Sequence, residues 1–414
     1  MASIRVTLPM PTPPEPASVP GSSGVRPQAK GWCPGAHRAM ASGDGLLLRV
    51  RPPLARMTRD QALGLCELAQ SLGSGMIDLT HRANLQLRGV RPEDHDAVVE
   101  ALCRLGLVDV DATHEAGPAV LVAPCWQAGD DTQRIASALL ARLGELPALP
   151  SKFGFAVDAG PAPVLTEASA DIRIERARSG GLIVRADGAA AGHLVPRDDV
   201  AEAVAMALAM AVWFAATAGS VAPPSRRMRG LQQVCAVPRG DAPLDTAAPS
   251  AAPPRPGMSQ LGPVYGVAFG QIAATALGHL LQDSGAVALR LTSQRGLILE
   301  GGEWRESTAF ITVADDPLLR VDACPGAPAC ASATVATRAL ALSLARQLLT
   351  DSPEAPRSLH VSGCAKGCAR SGAADLTLVG RSGTFDLVRN GRAGDAPAQT
   401  GLSPENLRLC IGAP

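Results

Sequence analysis

Three features of the 414-residue sequence predict an α+β protein built by duplication within one chain. Segments of the first half recur, in order, in the second; each half opens with the same alternation of strands and helices; and a Pro/Ala-rich stretch divides the two. LTHRANLQLRG (79–89) lines up with LTSQRGLILEG (291–301), PAVLVAPC (118–125) with PLLRVDAC (317–324), ADIRI (170–174) with ADLTL (374–378) and IVR (183–185) with LVR (387–389), at offsets of 199 to 212 residues. One such match could be chance, but four in one order argue for a repeat.

The first copy reads element by element. GLLLRVR (45–51) has strand character. A helix follows from Thr58 to about Leu72, with Thr58 as N-cap and Gln61 three residues later completing a capping box. GMIDLT (75–80) and NLQLRGV (84–90) read as strands, the second alternating apolar with polar residues. A helix from about Pro92 to Leu105 carries Pro early and Glu93 and Asp94 in its first turn. This β-α-β-β-α order predicts a ferredoxin-like split βαβ unit, which 264–300 repeats in shorter form. Strands and one long helix are expected at 118–215 and again at 317–392. The organisation is therefore a disordered tail (1–30), a ferredoxin-like repeat (31–110), an α/β domain (111–239), a Pro/Ala linker (240–258), a second ferredoxin-like repeat (259–312) and a second α/β domain (313–414).

Composition excludes several functions. Lys+Arg and Asp+Glu are both 38, so a bulk polyanion binder such as a nonspecific DNA protein is not expected. Aromatic residues are 3%, with Tyr265 the single tyrosine, which removes a stacking platform for single-stranded nucleic acid. The cations are almost all arginine; Lys30, Lys152 and Lys366 are the only lysines. The most apolar segment, Ala203 to Ala216, is shorter than the ~20 residues that span a bilayer and reads as a buried helix. Residues 1–30 lack the apolar stretch of a secretory signal. No membrane is expected, and ten cysteines without a signal point to a reducing, cytoplasmic setting where clustered thiols serve metal or redox chemistry.

The strongest chemical signal is ACPGAPAC followed by SGCAKGC. Cys324, Cys330, Cys364 and Cys368 give C-x5-C and C-x3-C separated by 33 residues. Four thiolates on two tight loops are what a [4Fe–4S] cluster requires, and Pro325, Gly326, Pro328, Gly363 and Gly367 suit backbone that must wrap an inorganic core. A zinc site made of four cysteines prefers C-x2-4-C pairs, which the five-residue gap does not provide; unrelated thiols are the other alternative. Cys125 aligns with Cys324, but the first half lacks the other three. Cys33, Cys66, Cys103, Cys125, Cys235 and Cys410 are scattered and read as small buried apolar residues.

These motifs, in duplicated halves carrying paired LT strands, resemble the nitrite/sulfite reductase superfamily, whose [4Fe–4S] cluster lies beside sirohaem, an iron tetrapyrrole with eight carboxylates. Within it, ACPGAPACASA, HVSGCAKGCARSG and the N-terminal GWCPGAHRAMASGDGLLLRVRPP look most like the precorrin-3B synthases. The resemblance spans roughly residues 31–392 and implies a duplicated nitrite/sulfite reductase-like fold.

A polycarboxylate ring needs fixed cations, and the planar fork of arginine pairs with carboxylates in bidentate fashion. Arg49 and Arg51 lie two apart in a strand and so share a face; Arg82 and Gln86 accompany Thr80 in the next strand pair. The resemblance implies that Arg49, Arg51, Thr80, Arg82, Gln86, Lys152 and Lys366 contact the macrocycle, with Arg295 and Arg370 as weaker members. Singly, each arginine reads as a solvated strand-end charge; the set gains its meaning beside the cysteines. Two departures thin it: Gly154 stands where the reductases carry a second basic residue after the Lys152 position, and Gly117–Pro118 where they carry Arg-Asn. A ring that must leave after each turnover, as a substrate does, fits such a set.

The resemblance implies oxygen-dependent conversion of precorrin-3A to precorrin-3B in aerobic cobalamin biosynthesis, with O2 as co-substrate and hydroxylation at C20 followed by γ-lactone formation. A cluster with four Cys ligands has no open position for O2, so a mononuclear non-haem iron is expected as well. No 2-His-1-carboxylate spacing locates it; His37, His81 and His360 are the candidates. Electrons are expected from NAD(P)H through an external reductase, because no G-x-G-x-x-G follows a strand. The alternatives are a sirohaem-dependent nitrite or sulfite reductase and a non-catalytic iron–sulfur electron-transfer module.

Overall fold

A computed structural model describes residues 32–222, 224–238, 242–349 and 356–411; the expected tail and Lys30 lie outside them, as does the side chain of Cys410. Four sheets form two related pairs.

The first pair comes from the ferredoxin-like copies. Met40–Ser42, Gly45–Val50, Leu85–Val90 and Met76–Leu79 make one antiparallel sheet, and Gly257–Ser259, Gly262–Gly266, Gly296–Glu300 and Ala288–Leu291 make the other. Each sheet gains its fifth strand from the opposite copy: Arg56–Thr58 pairs with Ala288–Leu291, and Gln271–Ala273 pairs with Met76–Leu79. The copies are thus interlocked. Helices Arg59–Leu72 and Ala274–Ser284 pack on each other above one apolar core that takes Leu48, Val50, Leu85 and Leu87 from the first copy and Tyr265, Leu289, Leu297 and Leu299 from the second.

The local rules behind these elements are visible. Thr58 Oγ1 accepts from Gln61 N–H and Gln61 Oε1 accepts from Thr58 N–H, the expected capping box. Ala62, Leu65, Cys66 and Ala69 then fall on the buried face at helical spacing. In the strands, Leu48, Val50, Ile77, Leu79, Leu85 and Leu87 turn inward, which leaves Arg49, Asp78, Gln86 and Arg88 on the opposite face. Ala83 (φ 51°) and Arg295 (φ 58°) turn the two equivalent hairpins through the same left-handed conformation.

One ion pair is reversed between the copies. Asp78 and Arg88 of the first occupy the positions of Arg290 and Glu300 in the second, at the 212-residue offset. Asp78 receives Arg338 of the second α/β domain (2.8 Å), whereas Arg290 reaches the carbonyls of Pro124 and Trp126 in the first and stacks on the Trp126 ring. Each ferredoxin-like copy therefore docks on the α/β domain of the other half.

Glu300 ties the exchanged strand in place. It accepts two hydrogen bonds from Arg56 (2.8 and 3.0 Å) and one from Arg290 (2.7 Å), and these bonds, chiefly that of Arg56, hold its carboxyl at about 2. A carboxylate depressed on folding contributes stability above its unfolded value of ~4.3, and that contribution fades as pH falls toward about 2. Glu300→Gln should cost about 1–3 kcal/mol at neutral pH. Chemical denaturation should show the gap from wild type closing between pH ~4 and the folded value; a pH-independent gap would argue that the loss is one of packing.

The α/β domains form the second pair of sheets. In the first, Ala119–Val122, Gly154–Asp158 and Ile172–Arg176 run parallel, followed by Leu182–Ala186 and Ala191–Leu194. In the second, Val321–Ala323, Leu359–Ser362 and Ala374–Arg381 run parallel, followed by Thr384–Gly391 and Gln399–Leu402. The first has two long helices where one was expected: Asp131–Arg142, the counterpart of Arg338–Leu348, and the apolar Val200–Thr217. The latter is long and apolar enough for a bilayer by composition, yet Ala203, Val204, Ala207, Ala211 and Phe214 are buried against the sheet.

The 240–258 segment is more than a linker. Leu244–Thr246 adds an edge strand beside Ala191–Leu194, a place where a short strand flanked by proline is tolerated because only one side must pair.

Candidate iron–sulfur and tetrapyrrole site

Cys324 directly follows strand Val321–Ala323, and Cys364 follows Leu359–Ser362 by two residues. The strands are parallel neighbours, so both cysteine loops leave the same sheet edge, the carboxyl end where open α/β sheets bind ligands. Gly363 N–H donates to Cys324 Sγ (3.1 Å) and Cys330 N–H to Gly326 O (2.8 Å). Burial raises the thiols of Cys364 and Cys368; the neighbouring cysteines push the same way and Lys366 opposes them. All four cysteines thus lie on two loops at one end of the sheet, and all four are free thiols.

The donor set fits an iron–sulfur cluster. Four thiols on two glycine-bearing loops are the donors such a cluster takes, and N–H groups such as that of Gly363 stabilise thiolate sulfur. Gly326 has φ 69°, and a Cβ there would lie 2.6 Å from Thr337 Oγ1. Gly326→Ala should lower the iron and sulfide content of purified protein. Gly372→Ala, where a Cβ meets open space, should leave it unchanged; equal content in both variants would remove the loop constraint from the account.

The register corrects one sequence alignment. Ala123 N–H donates to Val157 O as Cys324 N–H donates to Val361 O, and Val120 pairs with Phe155 as Val321 pairs with Leu359. Ala123, not Cys125, is the counterpart of Cys324, because the matched PxxxV words are offset by two residues from the strand ladder. The scattered cysteines also differ from expectation: Cys66 is buried and its thiol pushed up to about 12 by burial, but Cys33, Cys103 and Cys235 are half-buried and Cys125 is exposed.

The turn 80–84 bridges the cysteine domain and the first α/β domain. Thr80 Oγ1 accepts from the N–H groups of Arg82 and Asn84, so its hydroxyl shapes the turn. His81 Nε2 reaches Asp322 Oδ1 and Ala369 O (3.1 Å each), and its Nδ1 meets Ser293 O. On the other side, Arg82 donates to Lys152 O (2.7 Å). Lys152 and Lys366 are exposed, and Gln86 lies opposite Arg49 and Asp78 in the sheet.

Arg49, Arg51 and Arg82 form a cation cluster. Burial lowers Arg82, and Arg227 and Arg49 lower it further; burial lowers Arg51, with Arg49 next. Arg49 Nε is buried without a hydrogen-bond partner, and Arg51 donates to Gly117 O (3.0 Å). Such crowding is unfavourable unless an anion is shared among the cations.

Arg295 and Arg370 have another occupation. Both bind Asp322 (3.1 and 3.0 Å). Burial pushes Asp322 up, but its bonds to His81 and Arg370 and the charge of Arg295 outweigh burial and hold it at about 2. This hub fastens the Cys368–Arg370 loop to the 80–84 turn.

The three histidine candidates for a mononuclear iron are not brought together among the described residues. His37 bonds Asp109 O, His81 belongs to the Asp322 hub, and His360 is fully buried in the sheet, its ring driven down to about 4 by burial and both nitrogens unpartnered. Sequence reasoning also missed Asp322, which stands in the PLLRVDAC repeat without a signal of its own, and Arg227, which lies in no motif; the partners of both are distant in the chain.

Residues 38–105 match the family described as the nitrite/sulfite reductase ferredoxin-like half domain. The chain is 31% identical over 420 aligned residues to a precorrin-3B synthase from Sinorhizobium sp, covering 90% of this chain and 86% of that one. It belongs to the precorrin-3B synthase family. Its fold is that of the Mycobacterium tuberculosis NirA protein, with TM-score 0.60 at 16% identity, over 88% of this chain and 79% of that one.

Proposed function

We propose that the chain is an oxygen-dependent monooxygenase that converts precorrin-3A to precorrin-3B. Cys324, Cys330, Cys364 and Cys368 would hold a [4Fe–4S] cluster, which when bound supplies single-electron transfer. One atom of O2 enters the substrate as the C20 hydroxyl, the other leaves as water with two electrons and two protons, and a ring-A acetate closes the γ-lactone. The electron donor is an external reductase using NAD(P)H, and the setting is the cytoplasm.

The observation that supports this reading is the 80–84 turn, where His81 bonds Ala369 O of the cysteine loop and the adjacent Arg82 donates to Lys152 O. Arg49, Arg51, Arg82 and Lys152 would take ring carboxylates on one side, and Lys366 would approach from the cysteine loop. The His81–Asp322–Arg370 hub keeps the two sides at fixed separation, so the ring is oriented by contacts already in place. No chain residue is assigned to oxygen activation.

The test is anaerobic purification, optical spectroscopy, and turnover of precorrin-3A under isotopically labelled O2. The expected results are broad iron–sulfur absorption, no retained sirohaem, and one labelled oxygen in the product hydroxyl. Sirohaem bands with nitrite or sulfite reduction would instead support the reductase alternative, and failure to bind any tetrapyrrole the electron-transfer module.

A further inference from the structure

We propose that Arg227 binds a carboxylate of the tetrapyrrole, supplying from the first α/β domain a cation that the backbone beyond Lys152 cannot carry. The inference rests on the reading that the ligand is a polycarboxylate macrocycle.

Gly154 stands two residues after Lys152, where a second cation was expected from the resemblance. It is buried, and a Cβ there would lie 2.8 Å from Ala119 O, so no side chain fits. Two arginines converge on this same segment from elsewhere. Arg82 donates to Lys152 O (2.7 Å). Arg227 arrives through Asp171, a fully buried carboxylate that accepts from Gly154 N–H with Oδ2 (3.0 Å) and from Arg227 Nε and Met228 N–H with Oδ1 (2.9 Å each).

Asp171 does not consume the guanidinium. Nε is tied to its carboxylate and Nη2 to Ala170 O (3.0 Å) and Ser169 Oγ (3.2 Å), while Nη1 has no partner among the described residues. The side chain is 35% exposed. One edge of the fork is braced by buried protein and the other is open, as a preorganised carboxylate site requires. Both arginines are anchored to the 152–154 segment, Arg82 at Lys152 O and Arg227 through Asp171 at Gly154 N–H, and, after burial, the charge of Arg227 lowers Arg82. A ligand carboxylate would relieve that repulsion.

The test is anaerobic fluorescence titration of the full-length chain with uroporphyrin III, an octacarboxylate, and coproporphyrin III, a tetracarboxylate, for wild type, Arg227→Gln and Arg227→Lys. Arg227→Lys retains a cation for Asp171 but loses the open Nη1 edge, and thermal unfolding checks that each variant is folded. Both variants should bind uroporphyrin about 10- to 100-fold more weakly, with a smaller loss for coproporphyrin. Wild-type affinity in a folded Arg227→Lys or Arg227→Gln chain would overturn the assignment while leaving the tetrapyrrole reading intact. Failure of the wild-type chain to bind either porphyrin would remove that reading, and this inference with it.

Discussion

Replacement of Cys364 or Cys368 by serine should yield protein that has lost its iron–sulfur absorption and all conversion of precorrin-3A. Both residues belong to one short loop, with Lys366 between them and Gly367 at φ 60°, and a cube gripped by four thiolates has no spare ligand to recruit. Cys125 is exposed and belongs to the other half, so it cannot substitute. The comparison that isolates the effect is Cys235→Ser, a half-buried thiol outside the loops, which should keep iron, sulfide and turnover. Full activity in Cys364→Ser would reject the cluster assignment.

The second large effect is expected at Arg82. Its removal deletes a charged donor from the centre of the cation cluster, and each such bond is worth ~1.5–3 kcal/mol. Arg82→Ala should therefore weaken precorrin-3A binding by about 10- to 100-fold. Because Arg82 also holds Lys152 O, the loop at 150–153 is released at the same time. Arg82→Lys should recover part of the affinity through charge alone, but not the bidentate geometry. An unchanged dissociation constant in a folded Arg82→Ala chain would remove Arg82 from the site.

Much of this was legible in the sequence because local signals carried it. The Thr58–Gln61 box, the apolar alternation around Gln86 and the cysteine spacing depend on residues a few positions apart. Periodicity tells which face of a strand is apolar, not which strand lies beside it. Arg56–Thr58 and Gln271–Ala273 are three residues each, and their exchange is decided by contacts more than 190 residues away in the chain. The same distance hid the Asp322 hub, whose partners His81 and Arg370 come from opposite halves, and with it the bonds that Arg295 and Arg370, read as weaker ring contacts, make to a buried carboxylate. The two-residue offset between Cys125 and Ala123 arose because word matching follows residue identity while the sheet follows ladder hydrogen bonds. Gly154 was read as a missing cation; the close Ala119 carbonyl explains why no side chain stands there.

The central claim is that the four cysteines hold an iron–sulfur cube against the cation-lined space where the tetrapyrrole binds. Low-temperature EPR of the reduced, anaerobic protein, recorded with and without precorrin-3A, tests it most directly. The expected result is a cluster signal in the free protein whose line positions shift when substrate binds, and an Arg82→Ala chain that needs about 10- to 100-fold more substrate for the same shift. A wild-type signal insensitive to saturating substrate, or no cluster signal at all, would contradict it.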